Sequence, residues 1–190
     1  VIKLDNLEYF VLDEADEMLN MGFIEDIETI LEKTNEDKKM LFFSATMPDS
    51  ILKIAKRYMG KYKVLKVDKK ELTTSLTEQI YFQVSEGDKF EALCRVLDYS
   101  QNFYGIVFCR TKSDVDDVTQ HLKGRGYDAE SIHGDITQAM RTKTLEDFKK
   151  KTTTILVATD VAARGIDVNN LTHVINYSIP QEPESYVHRI

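Results

Sequence analysis

Three carboxylates, Asp13, Glu14 and Asp16, stand within four residues at the end of an apolar and aromatic stretch, Leu7 to Leu12. That stretch, with Tyr9, Phe10 and Val11 at its centre, suits a buried parallel strand. In an open α/β sheet, ligands bind beyond the carboxyl ends of the strands. Mg²⁺ takes oxygen ligands, and when it arrives on a nucleotide it needs only one or two carboxylates from the protein. One carboxylate can then hold the metal shell while its neighbour orients an attacking water. The competing reading is an acidic first helical turn that complements the helix dipole. Asp-Glu-Ala-Asp at a given start has a chance of about 2 in 100,000 at ordinary usage of each residue.

Further groups suited to phosphate chemistry follow other strand-like segments. Ser44-Ala45-Thr46 closes a second apolar run and places two hydroxyls where they can bond neighbouring carboxylates; a strand-to-helix N-cap uses the same residue types. Thr159 to Asp167 combines a hydroxyl, Arg164, Gly165 with its close backbone approach, and the Asp167 carboxylate, a set able to grip a phosphate and a ribose or to form a plain polar loop. Gln138 and Arg141 share one face of a helix start, where Arg suits bidentate phosphate contact and also suits a solvated surface. His133-Gly134-Asp135 offers a backbone approach point and a carboxylate. None of the eight glycines fits the phosphate cradle G-x-x-x-x-G-K-[ST]. A nucleotide-hydrolysing sheet needs such a cradle, so either it precedes Val1 or the nucleotide reading fails.

The elements that must position these groups alternate strand and helix, the pattern of βα units around parallel sheets. Strands are expected at about Tyr9–Leu12, Met40–Phe43, Tyr62–Val67, Gln79–Val84, Ile106–Cys109, Ala129–Ile132, Thr154–Ala158 and Thr172–Ile175. Helical stripes run through Phe23, Ile27, Ile30 and Leu31, and through Ile51, Ile54, Ala55 and Tyr58 after Pro48. Others run through Phe90, Leu93, Cys94 and Leu97, from Ser113 to Leu122, and from Gln138 to Lys150. Residues 68–77 are charged and hydroxyl-rich and read as a linker between 1–67 and 78–190.

The 190 residues carry a net charge of −7 and are 42% hydrophobic. That balance argues against wholesale electrostatic binding of nucleic acid while leaving room for a local basic groove. No run is long and apolar enough for a membrane span, and the dispersed histidines and cysteines lack the spacing of a zinc site. Cys94 and Cys109 lie in apolar contexts expected for buried reduced thiols. With no signal-peptide pattern at the start, they point to a cytoplasmic protein.

Taken in order, six of these segments resemble the DEAD-box family of ATP-dependent RNA helicases. Asp13-Glu14-Ala15-Asp16 is similar to its Walker B motif and Ser44-Ala45-Thr46 to its coupling motif. Phe108-Cys109-Arg110-Thr111, Gln138 with Arg141, and Ala158 to Asp167 resemble second-domain motifs that touch RNA and ATP. Tyr186-Val187-His188-Arg189-Ile190 resembles the start of the arginine-finger motif. The resemblance implies two RecA-like parallel-sheet domains of α/β class, the first represented only by its C-terminal part.

It also implies roles. Asp13 would hold Mg²⁺ through water, Glu14 would polarise the attacking water, and Asp16 would bond toward Ser44, Thr46 and His188. Arg189 would join them in the catalytic set. Arg164, Gly165 and Asp167 would contact ATP, and Thr111, Gly134, Gln138, Arg141 and Thr159 would contact RNA phosphates and sugars without reading sequence. The expected activity is ATP-driven, local and non-processive RNA unwinding or remodelling by the whole protein, with this segment alone inactive. The alternative is a non-catalytic fragment that binds RNA or protein.

Overall fold

The computed structural model describes residues 2–66, 77–166 and 168–190, and the side chains of all of these except Asn20 and Glu184. Residues 68–76 of the expected linker, and Asp167, lie outside the described residues. The chain divides into two compact units, Val1–Asp68 and Lys69–Ile190.

In the first unit, β1 (Tyr9–Leu12) pairs in parallel with β2 (Lys39–Phe42), Tyr9 opposite Lys39 and Leu12 opposite Phe42. Successive strand residues point to opposite faces. Phe10, Leu12, Met40 and Phe42 therefore join Leu19, Ile27, Leu31, Ile51 and Ile54 in one core. That core is covered by α1 (Ala15–Asn20), α2 (Ile24–Leu31) and α3 (Asp49–Met59). The opposite face is bare, with Tyr9, Val11 and Leu41 between 44% and 55% exposed. The expectation of strands buried on both faces thus fails here. The helix expected through Phe23, Ile27, Ile30 and Leu31 is α2, which buries Ile27 and Leu31 and leaves Ile30 exposed, while α1, before the turn at Gly22, was not expected.

The strands expected at Tyr62–Val67 and Gln79–Val84 are not formed at the described residues 62–66 and 79–84. Their alternating apolar residues, such as Leu65 and Tyr81, stay exposed. Alternation marks the faces a strand would use, but a strand also needs a row of backbone partners, and neither segment has one among the described residues.

The second unit holds a four-stranded parallel sheet in the order β4-β5-β3-β6. Its strands are β3 (Gly105–Phe108), β4 (Ala129–Ile132), β5 (Ile155–Ala158) and β6 (His173–Asn176). The central strands β3 and β5 are buried along their whole length, as their unbroken apolar runs require. One face packs against α4 (Lys89–Tyr99) and α5 (Lys112–Gly124) through Leu93, Leu97, Val115, Val118 and Leu122. The other packs against α6 (Gln138–Lys149) and α7 (Asp160–Ala163) through Leu145, Phe148 and Ala162. The chain leaves β3 in one direction, through α5 to β4, and returns through α6 and α7 in the other. Right-handed crossovers in opposite directions place their helices on opposite faces. The last helix, α8, spans Pro183–Arg189.

Two glycines matter here. At Gly105 a Cβ would collide with the His173 carbonyl oxygen and come within 2.9 Å of the Phe103 ring, so β3 and β6 can pair there only without a side chain. Gly126, at φ 88°, ends α5. The Tyr127 N–H bonds back to the Leu122 carbonyl at 3.0 Å and the Gly126 N–H to that of Lys123 at 2.9 Å.

Candidate functional site

The first cluster lies at the carboxyl end of β1. The Phe43 N–H reaches the Leu12 carbonyl at 2.8 Å and the Ala15 N–H reaches the Phe43 carbonyl at 3.1 Å, which holds the two strand ends together. Asp16 is 2% exposed. Its Oδ2 accepts from the Thr46 N–H at 2.7 Å and the Thr46 hydroxyl at 2.8 Å, and its Oδ1 accepts from the Glu17 N–H at 3.1 Å. The Asp16 N–H donates to Ser44 Oγ at 3.1 Å. Burial pushes the Asp16 carboxyl up, but the bonds from Thr46, Ser44 and Glu17 outweigh it and leave the group below its ordinary value.

Asp16 is therefore spent on tying the two strand ends, while Asp13 and Glu14 are exposed. Asp13 Oδ1 accepts from the Glu14 N–H at 2.9 Å. Glu14 sits at φ 49°, ψ 43°, a left-handed conformation that costs a residue with a Cβ. This turn lets α1 start directly after the strand and leaves two adjacent carboxylates at its tip. Among the described residues no three His, Cys, Asp or Glu side chains gather into a metal cage. One or two exposed carboxylates suit a hard cation that brings its own water and phosphate oxygens, so the donor set fits Mg²⁺ carried by a nucleotide.

The second cluster is the carboxyl edge of the β4-β5-β3-β6 sheet. Thr111 follows β3, Gly134 follows β4 and Thr159 follows β5, so parallel pairing brings three distant segments to one edge. Thr111 caps α5: its hydroxyl accepts from the Asp114 N–H and its own N–H donates to the Asp114 carboxylate, both at 3.1 Å. Thr159 precedes α7 and makes no side-chain cap bond. Gln138, exposed, opens α6, and Arg141 one turn later donates from Nη2 to the Ala162 carbonyl at 2.9 Å, which ties α6 to α7. Arg164 follows α7 half-buried, and Gly165, at φ 67°, is exposed.

Arg189, expected among the reacting groups, has a side chain that is 3% exposed and held within the second unit. Nε and Nη2 meet the Asp160 carboxylate at 2.5 and 2.7 Å, and Nη1 donates to Asn176 Oδ1 and to the Ser178 carbonyl, both at 2.7 Å. The guanidinium also lies 4.8 Å from the centre of the Phe108 ring. It clamps α8 to the sheet and to α7. His188, beside it, is exposed.

Sequence reasoning missed the partners: Asp160, Asn176 and Ser178 for Arg189, Asp116 for His133, and Lys112 for Asp135. These pairs join residues 11 to 29 positions apart on different elements. No local spacing marks them.

Parallel strands that end on carboxylates, hydroxyls and arginines place the chain in the RecA-like α/β class. The DEAD/DEAH box helicase profile matches residues 1–54, and that of the helicase conserved C-terminal domain matches residues 88–190. The chain belongs to the DEAD-box helicase family. It is 54% identical over 189 residues to the ATP-dependent RNA helicase CshA of Listeria monocytogenes, covering 100% of this chain and 36% of that protein. Against the crystal structure of a DEAD box protein from Methanococcus jannaschii, identity is 53%, with 100% of this chain and 51% of the other covered and a TM-score of 0.58. Against Saccharomyces cerevisiae Dbp5 bound to RNA and ADP BeF3, identity is 29%, coverage 99% and 50%, and TM-score 0.90. The chain thus spans between about a third and about half of the length of these relatives.

Proposed function

We propose that this chain is part of an RNA-stimulated ATPase that separates or remodels RNA locally and non-processively. The observation that carries the reading is the division of labour at the end of β1. Asp16 is locked by Thr46 and Ser44, while Asp13 and Glu14 are left at the tip as exposed carboxylates. In the whole protein, Asp13 would hold the Mg²⁺ of ATP through water. The metal would supply charge neutralisation at the phosphates. Glu14 would accept the hydrogen bond of the attacking water and orient it in line. Arg164, Gly165 and Asp167 would meet the nucleotide from the second unit. His188 would approach Asp16 when nucleotide and RNA bring the units together.

RNA would lie along the carboxyl edge of the second sheet, against Thr111, Gly134, Gln138, Arg141 and Thr159. Hydroxyls, a glycine backbone and an arginine recognise phosphate and sugar, so this edge would bind without base preference. The acidic chain as a whole would then rely on a local site rather than on its net charge. Cys94 and Cys109, both buried free thiols, agree with a cytoplasmic location.

One observation favours a second reading. No phosphate cradle occurs in the 190 residues, which suits a fragment that binds RNA or protein and hydrolyses nothing. Glu14→Gln in the full-length protein separates the two. The enzyme reading expects ATP turnover to fall at least about 100-fold, the lower range for a positioned acid–base group, with ATP-dependent RNA binding kept. Turnover equal to that of the unaltered protein removes Glu14 from the reaction.

A further inference from the structure

The loop after β4, at the carboxyl edge of the second sheet, is bound to α5 at two points. His133, on the loop after β4, is buried, and its Nε2 lies 3.0 Å from Asp116 Oδ1 on α5. The Asp135 N–H lies 3.4 Å from His133 Nδ1, so both ring nitrogens are engaged. One turn earlier on α5, Lys112 Nζ lies 2.5 Å from Asp135 Oδ1. The Lys112 side chain passes over Gly134: a Cβ on that glycine would touch Lys112 Cε at 3.5 Å and Nζ at 3.7 Å. The ammonium therefore lies beside the Gly134 backbone, held by Asp135.

A lysine in the first turn of a helix is unfavourable to the helix dipole, so α5 gains nothing intrinsic from it. The pair it forms is open to solvent, 53% and 65% exposed, and such pairs are weak and screened by salt. A phosphate therefore displaces Asp135 at little cost.

Resting on the reading of this edge as the RNA-facing one, we propose that Lys112 is a further phosphate-contacting residue. In this view Asp135 is its internal counterion, covering the ammonium until an RNA phosphate replaces it. The consequence is specific. The paired ammonium and carboxylate bring no net charge to the RNA, so in the unaltered protein the Lys112 contact releases little of the cation atmosphere condensed on the RNA and adds little to the salt dependence of binding. Removing Asp135 exposes the charge and adds about one phosphate contact, which steepens the log–log salt slope by about 0.7 for a single strand.

The test is binding of a labelled decauridine RNA to the full-length protein with ADP and beryllium fluoride, across a salt series. Asp135→Asn is expected to tighten binding several-fold and to steepen the slope by about 0.7. Lys112→Gln alone is expected to weaken binding, and the Lys112→Gln, Asp135→Asn double variant to lose the gain. Asp135→Ser gives the same comparison if asparagine disturbs the turn. Unchanged affinity and slope in both Asp135 variants, or a gain that survives loss of Lys112, overturns the proposal. Arg141→Gln separates this failure from a wider one: if it weakens binding, the edge still faces RNA and only the counterion role is lost. If it too leaves binding unchanged, the RNA-facing assignment falls as well.

Discussion

The Asp16 carboxylate accepts two hydrogen bonds from Thr46 and one from the Glu17 N–H. Bonds of this kind stabilise the ionised form, and together they outweigh its burial. The sign follows by linkage. A carboxyl lowered in the folded state stabilises the fold above its unfolded value of about 3.9, and that contribution is lost as pH falls through the lower folded value. Thr46→Val removes the hydroxyl and keeps the N–H. It is expected to raise the Asp16 titration point, seen by carboxyl NMR, and to lower the stability of the first unit by about 2 kcal/mol, as for a hydrogen bond to a charged group. An unmoved Asp16 titration would show that the hydroxyl does not hold the carboxylate. At Arg189, a motif match pointed to chemistry, and its geometry points to structure. Burying a guanidinium is tolerable only with its donors satisfied, and here Asp160, Asn176 and Ser178 satisfy them.

At the scale of elements, β3 and β5 were legible because strands buried on both faces read as unbroken apolar runs. Ile106 to Phe108 and Ile155 to Ala158 are such runs. The helix α5 was legible as the stretch from Ser113 to Leu122 that glycine ends, while its Thr111 cap emerged only in the structure. The segments at 62–66 and 79–84 misled because Val64 or Ile80 reports which residues a strand would bury, while pairing depends on a partner that no local pattern names. The motif residues of the site were visible as types. The bonds of Asp16 to Ser44 and Thr46 were legible through the motif resemblance, whereas the contacts of Arg141, His133 and Arg189, which cross between elements, were not. Gly105 shows how narrow the fit is where elements meet. Gly105→Ala is expected to destabilise the second unit by about 1–3 kcal/mol, the range for overpacking a filled interior, read by chemical denaturation. A stability equal to that of the unaltered chain would mean that β3 and β6 separate there without cost.

For the whole molecule, the two units differ in completeness. Among the described residues, the second buries both faces of its four-stranded sheet, while the first has two strands and one bare face. A two-stranded sheet with one apolar side exposed is marginal alone. The site at the end of β1 correspondingly has its carboxylates but no phosphate cradle in the sequence, and the relatives are two to three times as long. Under the function proposed above, hydrolysis would belong to a protein of its relatives' length, to which the 190 residues would contribute the carboxylates and the edge proposed to face RNA. ATP hydrolysis by the 190-residue chain and by the full-length protein, each with and without RNA, tests this most directly. The prediction is RNA-stimulated turnover by the full-length protein alone. Turnover by the 190-residue chain, or none by either, would contradict it.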